Sequence, residues 1–197
     1  MQDLTYRTDY WADRPARDAF KRFIRHIHGL DFTAWESAGF WDDDYRPFSF
    51  FRDGEVVSSV CLYSLDFVVD GKRHKVAQIS GVGTLESDRR RGLSRELTDR
   101  ALAWAGDDHR GLYLFADDEA IPYYERCGFV PFEEYADVAA IADITPRDGA
   151  VPLDVSRPEH LARIHDHAAR RAPVSNELGV LSPCLLYTSD AADDLRC

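Results

Sequence analysis

No apolar run in this 197-residue chain approaches the roughly 20 residues that cross a bilayer. The opening Met1-Gln2-Asp3-Leu4-Thr5-Tyr6-Arg7 has neither the basic start nor the apolar stretch of a secretory leader. These absences set the expectation of a cytoplasmic protein with no membrane partner. Basic charge is also in short supply: 24 Lys and Arg stand against 35 Asp and Glu, a formal net charge of −11. A general nucleic-acid binder needs a basic face that displaces counterions, so no nucleic-acid partner is expected. Cysteine is sparse, at positions 61, 127, 184 and 197, and no CxxC or Cys/His spacing offers a zinc site, so no metal is expected. Cys61, in an apolar run, and Cys127, beside Gly128-Phe129, read as small buried hydrophobes. No internal repeat of short period is present.

What remains is the balance of an ordinary globular chain, 45% hydrophobic and 30% charged. The length allows one domain with a real core and part of a second. Leu4 to Arg7 reads as a first strand. Asp13-Arg14-Pro15 is a helix start, Phe20, Phe23, Ile24 and Ile27 recur at helical spacing, and Gly29 ends the run. An aromatic stretch follows from Phe32 to Phe51, with Asp42, Asp43 and Asp44 inside it. Arg52-Asp53-Gly54-Glu55 is a turn. Val56–Val69 and Lys75–Leu85 then form two long strands joined at Asp70-Gly71, a strong hairpin signal. Leu93, Leu97, Ala101, Trp104 and Ala105 mark one face of a helix. Leu112–Ala116 reads as a strand, Ala120–Arg126 as a short helix stopped by Gly128, and Phe129 to Phe132 as the start of a further strand. Pro158 opens a last helix. The order is mixed α/β, with a central, mostly antiparallel sheet flanked by helices.

The chemistry concentrates where the second long strand meets its helix, at Arg89-Arg90-Arg91-Gly92-Leu93-Ser94. A helix start exposes unpaired N–H groups and the positive end of the dipole. A glycine there lets a phosphate approach the backbone, and arginines add charge. The segment is therefore suited to a pyrophosphate. It is not a Walker loop, since no Gly-Lys-Ser/Thr follows, and its single glycine is too few for a dinucleotide fingerprint. The bland alternative is an arginine-rich surface turn.

Arg89-x-x-Gly92-x-Ser94 resembles the R/Q-x-x-G-x-G/A coenzyme A motif of the GNAT (Gcn5-related) N-acetyltransferases, with Ser94 in place of the usual Gly or Ala. A second stretch, Ala120-Ile121-Pro122-Tyr123-Tyr124-Glu125-Arg126-Cys127-Gly128-Phe129, resembles the family's later A-x-x-x-Y-x-x-x-G-F element. The resemblance implies the GNAT fold and acetyl-CoA as co-substrate. It implies that Val82, Gly83 and Thr84 line the pantetheine arm, and that Arg89, Arg90, Arg91, Gly92, Leu93 and Ser94 hold the pyrophosphate. It makes Tyr124 the acid that protonates the leaving thiolate, with Tyr123 as the competing tyrosine. The implied activity is direct acetyl transfer to a primary amine on a small molecule or peptide. The alternative is a catalytically silent acyl-CoA-binding sensor or scaffold.

Among the candidate bases Glu86, Asp117, Asp118 and His74, Glu86 ranks first because it stands at the strand's end. Trp35, Trp41 and Asp117 are the candidate acceptor-side residues; the competing reading makes the aromatics core and the acidic run a solvated loop. Residues 1–144 are expected to form the GNAT domain. Residues 145–183 would be a linker and the start of a truncated second domain, as in the tandem-GNAT branch related to the mycobacterial Eis-type acetyltransferases. Residues 184–197, with Cys184-Leu185-Leu186-Tyr187-Thr188-Ser189-Asp190-Ala191-Ala192-Asp193-Asp194, resemble read-through of a sequencing adapter and are expected to be non-native. Whether the chain works as a monomer or a homo-oligomer stays open.

Overall fold

The computed structural model describes residues 4–10, 12–37, 39, 41–133, 149, 151–154, 157–170, 172–173 and 175–181. The expected linker at 145–149 lies outside these residues except for Gly149, and the adapter-like tail lies outside them entirely. Strand β1 (Thr5–Thr8) comes first, then helix α1 (Arg14–His28). Asp13 caps α1 by accepting the Ala16 amide on its Oδ1 at 3.1 Å. Gly29 closes the helix in the left-handed region, donating its amide to the Arg25 carbonyl. Phe20, Phe23 and Ile24 are buried on one face of α1, as their spacing predicts, with Ile27 packed at the margin.

A short helix α2 (Thr33–Ser37) precedes three strands, β2 (Tyr45–Arg52), β3 (Glu55–Val69) and β4 (Lys72–Thr84). Asp53-Gly54 and Asp70-Gly71 turn the chain between them with positive φ at both central positions, the two-residue hairpin geometry that matches strand twist. Helix α3 (Leu93–Ala105), strand β5 (Leu112–Tyr113), helix α4 (Ile121–Arg126), helix α5 (Pro158–Arg170) and strand β6 (Leu178–Val180) follow. The six-stranded sheet runs β1-β2-β3-β4-β5, and β6 pairs with the end of β3. Among these pairings only β4–β5 is parallel.

The sheet separates two apolar clusters. On one face α1 and α2 cover Tyr45, Phe51, Cys61, Tyr63 and Leu65. Most of the aromatic stretch belongs here: Phe20, Phe32, Trp35, Trp41 and Tyr45 pack ring against ring, mostly edge-on, with centroids 5.3 to 6.3 Å apart. Truncating one such ring costs about 3–5 kcal/mol, so this cluster carries a large share of the stability. On the other face Leu93, Leu97, Ala101 and Ala105 of α3 pack on Phe48, Val60, Leu62 and Ile79. Trp104, expected in the same row, sits at its edge, 38% exposed, with the Arg46 guanidinium 4.9 Å from its ring centre.

Two expectations change. The strand expected over Leu112–Ala116 pairs only at Leu112 and Tyr113, because β4 turns away from it beyond that point. Phe129–Phe132 forms no strand; Val130 and Phe132 are 84% and 81% exposed, and the segment makes no ladder pairing with any described strand. Leu178–Val180 adds a strand to β3 where β2 stops, and the Asp70 and Gly71 amides bond to the carbonyls of Glu177 and Asn176.

Candidate functional site

The site begins with a fault in β4. Ser59 pairs with Gly83 and Cys61 with Ser80, so two steps along β3 oppose three along β4. The extra residue is a β-bulge, and Gly81 takes φ 55° within it. A side chain at Gly81 would meet Cys61 Sγ at 3.2 Å, Tyr45 Oη at 3.3 Å and Ile24 Cδ1 at 3.4 Å. One at Gly83 would meet Ile27 Cγ2 at 2.8 Å. Both glycines therefore let α1 press on the strand. On its other edge β4 pairs with β5 only through Ala77 and Gln78. From Ile79 to Thr84 the two parallel strands have separated, and Val82, Gly83 and Thr84 stand half-buried along the opening.

Beyond Thr84 the chain makes a 3-10 turn, Glu86–Asp88, and enters the arginine loop. The three arginines differ. Arg89 donates its Nε to the Thr84 carbonyl at 3.3 Å, tying the loop back to the strand end. Arg90 sits at φ 61°, a conformation that L-residues occupy at a cost of about 1–2 kcal/mol, and its guanidinium has no partner among the described residues. Arg91 ion-pairs with Asp88, as does Arg52 from the end of β2. Gly92 caps α3 at φ 81°, with nothing within 4 Å of where a Cβ would stand, so the approach to the helix N-terminus is open on that side. Leu93 anchors the first turn in the core.

Ser94 finds its partner in the strand. Its Oγ lies 2.7 Å from Thr84 Oγ1, which lies 2.8 Å from Ser58 Oγ, and Ser58 also donates to the Gly83 carbonyl at 3.1 Å. This hydroxyl chain links β3, β4 and α3 under the loop, where a glycine or alanine would leave Thr84 with one partner fewer.

On the far side of the opening, α4 presents two tyrosines with different surroundings. Tyr123 Oη hydrogen-bonds Thr98 Oγ1 of α3 at 2.9 Å, and burial pushes its phenol up to about 12. Tyr124 packs edge-on against Phe129 and Tyr123, with centroids 6.0 and 5.0 Å away, and its hydroxyl has no hydrogen-bond partner among the described residues. Burial, then the neighbouring Cys127 and the Asp117 carboxylate, raise its pKa. Tyr124 thus stays protonated through the neutral range. A cavity of about 400 Å³ lies beside it, lined by Tyr113, Phe115, Ile121, Phe129 and Phe132 among others.

The remaining candidates are scattered. Glu86 stands exposed on the turn after β4, and Asp117 is exposed before α4, with its charge felt at Tyr124. Trp35 is 7% exposed in the aromatic cluster and Trp41 half-buried against it. No group of three or more metal-ligating side chains occurs among the described residues, and no described helix is long and apolar enough to cross a membrane. Sequence reasoning missed Ser58, Thr98, Arg52 and Asp88. Arg52 and Asp88 lie 36 residues apart and meet only because β2 ends beside the turn after β4, a proximity that no local pattern announces.

Known proteins share this fold. A sequence model described as the acetyltransferase (GNAT) family matches residues 6–129. No curated protein sequence matches the chain. Among solved structures, an acetyltransferase of Trypanosoma brucei aligns over 70% of this chain and 100% of its own, at 20% identity and a TM-score of 0.56. An aminoglycoside acetyltransferase from an uncultured soil metagenomic sample aligns over 71% and 99%, at 14% identity and 0.56. A predicted acetyltransferase with acetyl-CoA, from Clostridium acetobutylicum, aligns over 70% and 96%, at 17% identity and 0.55. At these identities the structures show a common fold.

Proposed function

Because the chain belongs to the acetyltransferase (GNAT) family, we propose that it moves an acetyl group from acetyl-CoA to a primary amine by direct transfer. One observation carries the reading: the bulged, separated end of β4 runs into an arginine loop and an open helix N-terminus. That juxtaposition offers an extended ligand with a pyrophosphate both a backbone edge and an anion site. Acetyl-CoA supplies the activated carbonyl. Val82, Gly83 and Thr84 line its pantetheine arm, and a backbone N–H in this stretch steadies the oxyanion. Arg89, Arg90, Arg91, Gly92, Leu93 and Ser94 surround the pyrophosphate.

The amine nitrogen bonds to the acyl carbon, the carbon–sulfur bond breaks, and Tyr124 gives its proton to the departing thiolate. The proton lost from the amine passes to a carboxylate. Glu86 is our first base and Asp117, whose charge reaches Tyr124, the second. Trp35 is too buried to touch a ligand directly, so acceptor contact falls to Trp41 and Asp117. The aminoglycoside acetyltransferase of similar fold supports a small-molecule amine as acceptor. We place the enzyme in the cytoplasm.

The test is release of free coenzyme A thiol from acetyl-CoA across a panel of primary amines. Amine-dependent release is expected, and Tyr124→Phe lowers kcat about 100-fold while leaving acetyl-CoA affinity in place. Glu86→Gln and Asp117→Asn then decide between the bases. Acetyl-CoA binding without thiol release for any amine would instead favour the silent sensor.

A further inference from the structure

Asp88 is the least accessible charged side chain of the loop region, 1% exposed, and none of the chemistry above uses it. Its Oδ1 receives the guanidinium of Arg52 from β2 and that of Arg91 from the loop, and its Oδ2 accepts Ser87 Oγ at 2.9 Å. Its own amide bonds to the Leu85 carbonyl at 2.9 Å, fixing the backbone beneath it. One carboxylate between two guanidiniums leaves the cluster with a net positive charge, next to the start of α3. The two arginines are not equivalent. Arg52 has a side chain 23% exposed and reaches Asp88 from the sheet, whereas Arg91 keeps 42% of its side chain exposed. A guanidinium is a planar fork with five donors. With one amino group held by Asp88, the opposite edge of the Arg91 fork has its direction set before any ligand arrives.

We propose that Asp88 is a positioning residue: it orients Arg91 so that the free edge of its guanidinium meets the coenzyme's pyrophosphate. The inference rests on the coenzyme reading above. A buried carboxylate is a costly way to hold a turn, since desolvation offsets much of the ion-pair attraction. The same carboxylate gains a purpose if its charge and geometry fix the arginine that receives the phosphates. Pre-orientation removes the rotamer entropy that a free Arg91 would lose on binding. Arg90, without a partner, contributes charge but no preset direction.

The experiment compares Asp88→Asn with the wild-type chain by calorimetry, using acetyl-CoA and S-acetylpantetheine, which lacks the pyrophosphate. The expected result is a loss of acetyl-CoA affinity of about tenfold or more, with S-acetylpantetheine changed less than about twofold. In an Arg91→Ala background, Asp88→Asn adds less than about a further twofold, because its effect passes through Arg91. Arg91→Lys covers the case in which Asp88→Asn does not fold: it keeps the charge but loses the fork, and is expected to bind acetyl-CoA as weakly as Arg91→Ala. Equal losses for both ligands, additive effects of the two substitutions, or full rescue by Arg91→Lys would overturn the role of Asp88 while leaving the coenzyme site standing. Failure of the wild-type chain to bind acetyl-CoA overturns both.

Discussion

Replacing Gly81 with alanine tests whether the β4 bulge is a built feature of the site. Two penalties add. The residue sits at φ 55°, where a Cβ costs about 1–2 kcal/mol. The new methyl also lands 3.2 to 3.4 Å from Cys61 Sγ, Tyr45 Oη and Ile24 Cδ1, all in the packed core, and overpacking of that kind costs about 1–3 kcal/mol. The expected loss is therefore about 2–5 kcal/mol, read as a lower urea midpoint at unchanged slope. Gly54→Ala, in the β2–β3 turn, is the control. Its φ is 81° and nothing lies within 4 Å of the added carbon, so it pays the backbone term alone. The difference between the two variants isolates the crowding. Where Gly81→Ala folds, relaxation of the bulge redirects the backbone at Val82 and weakens acetyl-CoA binding, while Gly54→Ala binds as wild type. If Gly81→Ala costs no more than Gly54→Ala, or binds acetyl-CoA normally, the reasoning about the bulge is refuted.

Other perturbations follow from the same geometry. Arg90→Gly relieves the positive φ and, against the greater freedom of glycine in the unfolded chain, changes stability by no more than about 1 kcal/mol, whereas acetyl-CoA affinity falls as a phosphate partner is lost; a thermal melt and a titration read both. Burial raises the Cys61 thiol from 9.0 to about 12 and lifts the Tyr10 and Tyr45 phenols well above 10.0. Above about pH 9 the unfolded chain gives up the Cys61 proton first, so the stabilisation from that thiol is full below pH 9 and lost as pH climbs through about 12, and the two raised phenols add to the loss at alkaline pH. Urea midpoints across that range are expected to fall steadily, and more shallowly in Cys61→Ala. Because the Tyr124 pKa is raised, kcat is expected to show no alkaline fall assignable to this group below about pH 10; a limb below that pH that vanishes in Tyr124→Phe would contradict the assignment.

The sequence made the helices and hairpins legible wherever one local signal dominated. Asp13 and Gly29 bracket α1, and Asp53-Gly54 and Asp70-Gly71 mark both hairpin turns, because caps and primed turns depend on adjacent residues alone. The arginine loop and Tyr124 were readable as motifs. The parts that stayed hidden depend on pairing across the fold. The bulge appears only when β4 is set against β3, and the early end of β5 only when it is set against β4. The aromatic run shows the limit of composition: aromatics beside three aspartates fit an acceptor pocket or a core equally well, and only their packing around Tyr45 shows that Phe32 and Trp35 are core while Trp41 stays half-buried at the margin. Trp104 sits at the edge of the α3 row under the Arg46 guanidinium, a contact made across the fold that helical spacing does not announce. Asp88 and Arg52 are joined by topology, beyond the reach of any spacing rule.

The most direct test of the central claim is a calorimetric titration of acetyl-CoA into the wild-type chain and into Gly92→Trp. Gly92 has open space around it, so an indole there extends into the volume in front of α3 where the pyrophosphate is expected to lie, and circular dichroism checks that the fold persists. Saturable binding to the wild type and its loss in a folded Gly92→Trp is the predicted result. Absence of binding to the wild type, or equal binding to both, would contradict the placement of the coenzyme and with it the proposed acetyl transfer.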